Sequence, residues 1–265
     1  MKLIHWECLE EMDKLIEQWV KVDAIITDPP YWTTACKWDS VIPFDKMWER
    51  LNKLIKPNGA IVLFGSEPFS SALRMSNIKN YKYDWIWEKQ KASNFLNSNN
   101  QPLKVQENLS VFNTITYTPQ MRKVVEIQDL LDMSKKELIE YHKNRDYQNF
   151  WVIDKRKTIN NPVWKKDSVY WKPWYKWIRK KDEWFRKPTS ILKINKDVNN
   201  NVHPTQKPVA LMEYLIKTYT NEWETVLDFT MWSWSCWVAC KNLKRNFIWI
   251  ELDETYFKIS CNRLR

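Results

Sequence analysis

The tetrapeptide Asp28-Pro29-Pro30-Tyr31 brings together groups that could hold an aromatic amino group. The Asp28 carboxylate and the Pro29 carbonyl are hydrogen-bond acceptors, and the two prolines contribute no N–H groups that would compete for them. Such a pair can accept hydrogen bonds from both N–H groups of the amino group on a nucleobase. The amino nitrogen is then positioned to attack an electrophile while the Tyr31 ring stacks on the base. A base in a duplex would have to leave the stack to reach this position. The alternative is a Pro-Pro loop in which the tyrosine is incidental.

A second segment, residues 226–237, has the form of a strand, a loop and the start of a helix. With glycine in place of the tryptophans at 232, 234 and 237, the loop reads Asp-Phe-Thr-Met-Gly-Ser-Gly-Ser-Cys-Gly, and its backbone could approach a ligand at a sheet edge. Glu251 ends the following strand, where its carboxylate could accept hydrogen bonds from ribose hydroxyls. This arrangement predicts a cofactor that contains a nucleoside. Taken literally, Trp232 and Trp234 would fill the same pocket.

The composition is unusual, because the chain contains 18 tryptophans but only two glycines. Ordinary proteins have about 7% glycine, which supplies the positive φ angles of tight turns. Many of the tryptophans, including Trp19 and Trp223, occupy turn positions, whereas four, among them Trp85 and Trp87, have contexts that suit an aromatic ring. If the other 14 stood for glycine, the chain would have 16 glycines and four tryptophans. We therefore hypothesise that the gene uses UGA as a glycine codon, as some bacterial lineages do; a true tryptophan-rich chain is the alternative.

The hydrophobic pattern predicts strands and helices that alternate along both ends of the chain. Alternating elements imply a mostly parallel sheet, in which ligands bind beyond the carboxyl ends of the strands. The sequence therefore predicts an α/β fold with a doubly wound sheet. Asp28, Gly65-Ser66, Phe229-Thr230 and Glu251 should share one edge of it. The expected strands are 24–27, 60–64, 225–229 and 247–250, the expected helices are 45–55, 209–216 and 238–243, and a turn is expected at 56–59.

The middle of the chain differs from both ends and is predicted to be an inserted module. It contains an Asn-rich stretch at 94–100, basic clusters and interleaved aromatic residues. Within it, Ser134 and Glu137 form a capping box that predicts the start of a short helix. The whole chain carries a formal net charge of +10, which would attract a polyanion and make binding depend on salt. Nucleic acid is the first partner to consider.

Several classes of protein are not expected. The five cysteines form no CxxC pair, which argues against a disulfide framework and a zinc ribbon, and no Cys/His spacing predicts a metal site. The apolar runs are shorter than the ~20 residues that cross a bilayer, and acidic residues interrupt the amino terminus before any secretory signal could form. We expect a cytoplasmic protein without metal. His5 and His142 are expected to be ordinary histidines, and Cys36, Cys236 and Cys240 to be packing residues.

In five segments, and in the order of these segments along the chain, the sequence resembles the β-class of S-adenosylmethionine-dependent DNA amino-methyltransferases, which modify the exocyclic nitrogen of adenine or cytosine. The resemblance implies a Rossmann-like class I methyltransferase fold in permuted order. Residues 1–90 would form the catalytic half, 91–200 a target-recognition insertion and 201–265 the cofactor-binding half. The similar segments are residues 3–10, 28–31, 63–67, 203–208 and 227–253.

The resemblance also implies S-adenosylmethionine as the cofactor and double-stranded DNA as the partner, with a monomer or a homodimer left open. The catalytic residues that it implies are Asp28, Pro29, Pro30 and Tyr31. The cofactor-binding residues that it implies are Glu7, His203, Thr205, Gln206, Lys207, Asp228, Phe229, Thr230, Trp232, Trp234, Ser235 and Glu251. Tryptophan stands where the family favours glycine at positions 6, 32, 232, 234, 237 and 249.

The tetrapeptide favours N6 of adenine as the target, because the cytosine-N4 enzymes often have serine in place of Asp28. Cytosine N4 is the alternative. A DNA-binding homologue without activity, in which real tryptophans fill the cofactor loop, is a second alternative, and a methyltransferase for RNA or protein would share the core chemistry. No Pro-Cys nucleophile is present, so covalent attack on the base is not expected.

Overall fold

The computed structural model of the chain separates into two units. One comprises Met1–Thr118 with Ser190–Arg265, and the other comprises Pro119–Thr189. The first unit carries the residues that the sequence places at the site. The residues that the structure describes are 2–5, 7–31, 40–114, 116–126, 134, 150–153, 179–180, 183–195, 206–231, 235–254 and 257.

Strands and helices alternate along the first unit, as the hydrophobic pattern predicts. The second unit contributes four strands, β6 to β9, in the order β7-β6-β9-β8. The elements in chain order are β1 (Lys2–His5), α1 (Cys8–Glu17), β2 (Val22–Thr27), α2 (Phe44–Leu54), β3 (Ile55–Gly65), α3 (Phe69–Ser76), β4 (Tyr81–Ser93), a 3₁₀ turn (Phe95–Asn97), β5 (Lys104–Phe112), β6 (Arg122–Glu126), β7 (Phe150–Ile153), β8 (Arg179–Lys180), β9 (Glu183–Arg186), β10 (Ile191–Lys193), α4 (Val209–Tyr219), β11 (Thr225–Asp228), α5 (Ser235–Asn242) and β12 (Asn246–Glu251).

The first unit is built on an eight-stranded sheet in the order β1-β12-β11-β2-β3-β5-β4-β10. Neighbouring strands are parallel except at β5, which runs antiparallel to both β3 and β4. The carboxyl ends of β2, β3, β11 and β12 therefore lie at one edge. This confirms the predicted α/β fold with a mostly parallel sheet.

Helices cover both faces of the sheet because its central strands are apolar on both sides. Along β3, Ala60, Val62 and Phe64 pack with α4 and α5, and the alternating residues Ile61 and Leu63 pack with α1, α2 and α3. The strand period of two thus divides one apolar run between two cores. Cys236 and Cys240 are buried in the first of these cores, as the sequence predicts for packing residues.

The turn predicted at 56–59 is wrong. These residues continue β3 as an irregularity, since Val22 pairs with Ile55 whereas Ala24 pairs with Ala60. The backbone passes so close to β2 that a Cβ on Gly59 would lie 2.5 Å from the carbonyl oxygen of Asp23. Glycine, proline and asparagine at this point therefore produce a bulge in a strand rather than a turn between two elements.

The separate unit is shorter than the insertion that the sequence predicts at 91–200. Residues 91–118 complete β4 and supply β5, and β10 pairs with β4, so all three belong to the main sheet. The Asn-rich and basic residues around β5 and β10 make these strands difficult to recognise from the hydrophobic pattern of the sequence. Apart from Ser134, the capping box and its helix lie outside the described residues.

Four of the described tryptophans show two different kinds of position. Trp85 and Trp87 are buried in β4, and their indole N–H groups donate to the Tyr219 hydroxyl and the Ile194 carbonyl. In contrast, Trp19 and Trp223 have positive φ angles of 56° and 69°, which L side chains rarely adopt. These four positions agree with the sequence analysis, whereas Trp237 and Trp249, at which the sequence favours glycine, are buried in α5 and β12 and pack in the core.

Candidate active site

The carboxyl edge of the sheet brings together residues that lie far apart in the chain. Asp28 follows β2, Phe229 and Thr230 follow β11, and Glu251 is the last residue of β12. The neighbouring order of these parallel strands, β12-β11-β2, makes the three segments adjacent. The shared edge that the sequence predicts is therefore present.

A cavity of about 480 Å³ opens at this edge. Its volume lies within the range of small-ligand pockets, which is roughly 300–1,000 Å³. The walls combine apolar groups with carboxylates at separate positions, a combination that suits a flat ring carrying a sugar. Lining residues include Glu7, Pro30, Ile42, Phe229, Thr230 and Glu251.

Two carboxyl groups at this edge, those of Glu251 and Asp228, are buried. Among the described residues, no lysine or arginine is one of the groups that shift their pKa values. Burial raises the pKa of Glu251 to about 8, although the Asp253 N–H donates to its Oε1 at 2.8 Å. Burial likewise raises the pKa of Asp228 to about 7. A ligand that donates hydrogen bonds to such a carboxyl group would stabilise its ionised form.

The ends of β2 and β11 are joined by a small network of hydrogen bonds. The Thr27 hydroxyl donates to Asp228 Oδ1 at 2.7 Å and accepts from the Phe229 N–H at 3.0 Å. The Thr230 hydroxyl donates to the Asp28 carbonyl at 3.1 Å. These bonds fix the backbone of the tetrapeptide against the loop that lines the cavity.

Asp28 lies in a recess beside this cavity, and Thr230 lines both. Its carboxylate accepts from Lys207 Nζ at 2.6 Å. Lys207 also lies 3.2 Å from Glu107, which in turn lies 3.3 Å from Lys89. Burial by itself would lower the pKa of Lys207, but the carboxylates of Asp28 and Glu107 raise it well above its ordinary value. Burial would raise the pKa of Glu107, but the two ammonium groups hold it below its ordinary value.

The rest of the tetrapeptide is packed in place. Pro29 and Pro30 are buried, and Pro30 lines the large cavity. The Tyr31 ring is half-buried, with its centroid 5.5 Å from that of Phe69. The aromatic ring is thus held at the same edge as the carboxylate, as a stacking role requires.

The structure sorts the cofactor residues that the sequence proposes. Glu7, Phe229, Thr230 and Glu251 line the large cavity, whereas Lys207, Asp228 and Ser235 line the recess. Glu7 also caps α1 by accepting from the Glu10 N–H. Gln206 is buried beside Lys207, and the Ser235 hydroxyl donates to the Lys207 carbonyl. His203, Thr205, Trp232 and Trp234 lie outside the described residues, as does His142.

The sequence analysis groups Lys207 with the cofactor residues, and in the structure its ammonium group faces Asp28. It did not single out Thr27, Lys89 or Glu107, which contact the candidate site residues. Nothing in the local pattern of β4 or β5 distinguishes Lys89 and Glu107 from other charged strand residues, and only the sheet brings them to the recess. His5 was expected to be an ordinary histidine, and its Nε2 lies 3.1 Å from the Leu252 carbonyl.

Comparison with known proteins gives matches along most of the chain. Residues 22–262 match the N6/N4 family model, described as DNA methylase. The chain is 26% identical over 292 residues to the Type II methyltransferase M2.DpnII of Streptococcus pneumoniae, an alignment that covers 100% of this chain and 89% of that relative. It is also 26% identical over 292 residues to the Type II methyltransferase M2.LlaDCHI of Lactococcus lactis subsp. cremoris, with 99% and 88% covered.

Solved structures show the same architecture. The M1.HpyAVI–SAM complex superposes with a TM-score of 0.59 at 25% identity, covering 99% of this chain and 98% of that one. The PvuII DNA methyltransferase, which is cytosine-N4-specific, gives a TM-score of 0.61 at 14% identity, covering 99% and 86%. The second likeness concerns the fold alone.

Proposed function

The chain belongs to the N6/N4 family of DNA methylases, and we propose that it transfers a methyl group from S-adenosylmethionine to N6 of adenine in double-stranded DNA. The observation that carries this proposal is the position of Asp28, which lies in a recess that shares Thr230 with a cavity of cofactor size. A hydrogen-bond acceptor for an amino group is thus adjacent to a pocket of cofactor size. Direct transfer of a methyl group from the cofactor to that amino group requires this proximity.

The described residues of the large cavity fit S-adenosylmethionine. Glu251, buried at the end of β12, would accept hydrogen bonds from the ribose hydroxyls of the cofactor, and Glu7, which lines the same cavity, would accept from the amino group of its adenine. Pro30, Ile42 and Phe229 supply apolar walls for the purine ring. When bound, the cofactor supplies a methyl group on a positively charged sulfur. The carboxylates of this edge also favour a cationic ligand.

The residues of the tetrapeptide would hold the target base. Asp28 and the Pro29 carbonyl accept the two protons of its amino group, and this directs the nitrogen lone pair toward the methyl donor. Tyr31 stacks on the base after it has left the duplex, which offsets part of the cost of a few kcal/mol for unstacking. No general base is needed before transfer, because the methylated nitrogen loses its proton afterwards.

Two features support duplex DNA as the partner. The net charge is +10, as expected of a protein that tracks phosphates. The turn between β4 and β5 also reaches the active edge, since β4 is parallel to β3. On this turn Phe95 is 64% exposed and Leu96 is 101% exposed, and apolar side chains of this kind can occupy the gap beside a displaced base.

The choice of adenine over cytosine rests on Asp28 at the first position of the tetrapeptide. Digestion of methylated DNA to nucleosides, followed by mass spectrometry, distinguishes N6-methyladenine from N4-methylcytosine. N4-methylcytosine as the product would contradict the adenine assignment and leave the amino-methyltransferase proposal intact.

The central experiment measures methyl transfer from labelled S-adenosylmethionine to unmethylated genomic DNA. It compares the full chain with a variant that has glycine at positions 232, 234 and 237, and equilibrium dialysis measures cofactor binding by both. We expect binding and transfer by the glycine variant, and loss of transfer, with cofactor binding retained, when it also carries Asp28→Ala. If neither chain binds the cofactor while both bind DNA, the protein is a DNA-binding homologue without activity. Competition by RNA and by protein substrates tests the remaining alternatives.

A further inference from the structure

We propose that Lys207 and Glu107 are positioning residues for methyl transfer, which hold the Asp28 carboxylate as an oriented and ionised hydrogen-bond acceptor. This inference rests on the proposed function, because it assigns a role in that reaction to residues outside the tetrapeptide. It also changes the role of Lys207 from cofactor binding to control of the base-binding group.

The supporting observation is a line of four side chains whose charges alternate along the edge of the sheet. Lys207 Nζ lies 2.6 Å from Asp28 and 3.2 Å from Glu107, and Glu107 lies 3.3 Å from Lys89. The line crosses from the end of β2, above Phe64 of β3, to β5 and β4. The four side chains are little exposed, at 17% for Asp28, 6% for Lys207, 14% for Glu107 and 11% for Lys89.

Lys207 is itself held from three sides. Its ammonium group lies 5.1 Å from the centroid of the Phe64 ring, within the range of a cation–π contact. Its carbonyl accepts from the Ser235 hydroxyl at the start of α5. Glu107 supplies the third contact, and the strand pairing of β4 with β5 fixes Glu107 in turn. A lysine on a flexible stem thereby becomes a fixed point charge.

This arrangement suits the chemistry proposed for Asp28. Lys207 binds Oδ2, and an amino group held by the same carboxylate would bind Oδ1. An ionised carboxylate only accepts hydrogen bonds, whereas a protonated one also donates, so protonation would weaken its hold on an amino group. The positive charge of Lys207 favours the ionised form, and its hydrogen bond to Oδ2 limits rotation of the carboxylate.

Glu107 fixes the position of the Lys207 ammonium group, because this group lies between the carboxylates of Asp28 and Glu107. Without Glu107, the ammonium group would be free to shift toward Asp28 and compete with the base for both oxygens. Lys89 balances the added negative charge, so the buried line has equal numbers of positive and negative charges and avoids an unpaired buried ion. Among the described residues, the other ionisable groups that interact with this cluster include Asp228, through Asp28, Tyr31, through Lys207, and Lys104, through Lys89 and Glu107.

The test compares Glu107→Gln, Lys207→Arg and Lys207→Met with Glu88→Gln in the active full chain. Glu88 is the neighbour of Lys89 in β4 and forms an exposed ion pair with Lys193, so its variant controls for loss of a carboxylate from the strand that pairs with β5. Rates are measured with labelled S-adenosylmethionine and unmethylated genomic DNA between pH 5.5 and 9. Thermal unfolding and the dissociation constant for the cofactor are measured on every variant.

For Glu107→Gln we expect kcat to fall about tenfold, because a misplacement of about 1 Å can reduce a rate by about 10²-fold and the shift expected here is smaller. Its affinity for the cofactor should be unchanged, since Glu107 does not line the large cavity. Lys207→Arg should lower kcat and leave the acidic limb of the pH profile in place. Lys207→Met should move that limb to higher pH, because a carboxylate without its cation is protonated more easily.

Two results would overturn this inference alone. One is an unchanged kcat in Glu107→Gln while Asp28→Ala is inactive. The other is a pH profile of Lys207→Met that keeps its acidic limb while the unfolding temperature and kcat fall together, which would make the line of charges merely structural. An inactive parent chain would overturn both this inference and the proposed function.

Discussion

Replacement of Trp19 or Trp223 by glycine is expected to stabilise the folded chain. Their φ angles are 56° and 69°, and their side chains are 87% and 69% exposed, so little packing would be lost. Trp19 follows the end of α1, where its N–H donates to the Ile16 carbonyl at 2.9 Å and the Val20 N–H donates to the Leu15 carbonyl at 3.0 Å. These two bonds form a Schellman motif, whose left-handed residue is usually glycine.

The size of the effect follows from two opposing terms. A left-handed residue with a Cβ costs about 1–2 kcal/mol, and glycine removes this strain. Glycine also gives the unfolded chain more freedom, which costs roughly 0.4–1 kcal/mol. The difference is a gain of about 1 kcal/mol for each site, which corresponds to about 2–4 °C in the unfolding temperature of a chain of this size.

Urea denaturation of the single variants measures this gain. Trp19→Ala is the matched control, because alanine removes the ring but retains the Cβ and its strain. Lys244 provides a calibration, since it has a φ of 57° after α5 and no tryptophan is involved; Lys244→Gly should give a similar gain. If Trp19→Gly is no more stable than Trp19→Ala, the backbone argument fails. Coding DNA with UGA at 19 and 223 but UGG at 85 and 87 would support the recoding hypothesis, and UGG throughout would end it.

Three further predictions concern the edge of the sheet. Burial raises the pKa of Asp228 to about 7 and that of Glu251 to about 8. The folded chain therefore binds more protons than the unfolded chain between about pH 4 and 8. The free energy of unfolding should fall as pH rises through that window, by up to about 1.4 kcal/mol per pH unit for each group. Urea midpoints at pH 5.5 and 8 measure this slope, and a slope unchanged in Glu251→Gln would contradict the assignment. Thr27→Val should cost about 1–3 kcal/mol because it leaves the buried Phe229 N–H without its acceptor, and a loss of the same size in Thr27→Ser would refute this reason. Gly59→Ala should lower the free energy of unfolding by about 1–3 kcal/mol, because the new Cβ would lie 2.5 Å from the Asp23 carbonyl oxygen. Asn58→Ala, at an exposed neighbouring position, is its control. Equal unfolding midpoints in the two variants would show that the backbone can shift.

Patterning along the chain was sufficient for the elements that lie near both ends. The apolar run that ends at Asp28, the helical stripe before β3 and the alternation after residue 209 were predicted within a few residues, because each follows from a local period of burial. The edge shared by Asp28, Thr230 and Glu251 also followed from the sequence, since parallel strands place their carboxyl ends together.

The sequence by itself thus determined the order of the elements and the edge of the sheet at which the candidate site residues meet, and it supplied the tetrapeptide that we propose binds a base, because these depend on local patterns and strand direction. Only the tertiary structure decided that 56–59 is a bulge and that β5 and β10 join the main sheet. It also decided that Lys207 faces Asp28 and that Glu107 and Lys89 extend this contact. The physical reason is that ion pairs between residues up to 179 positions apart depend on which strands become neighbours, and no local period of the chain records that choice.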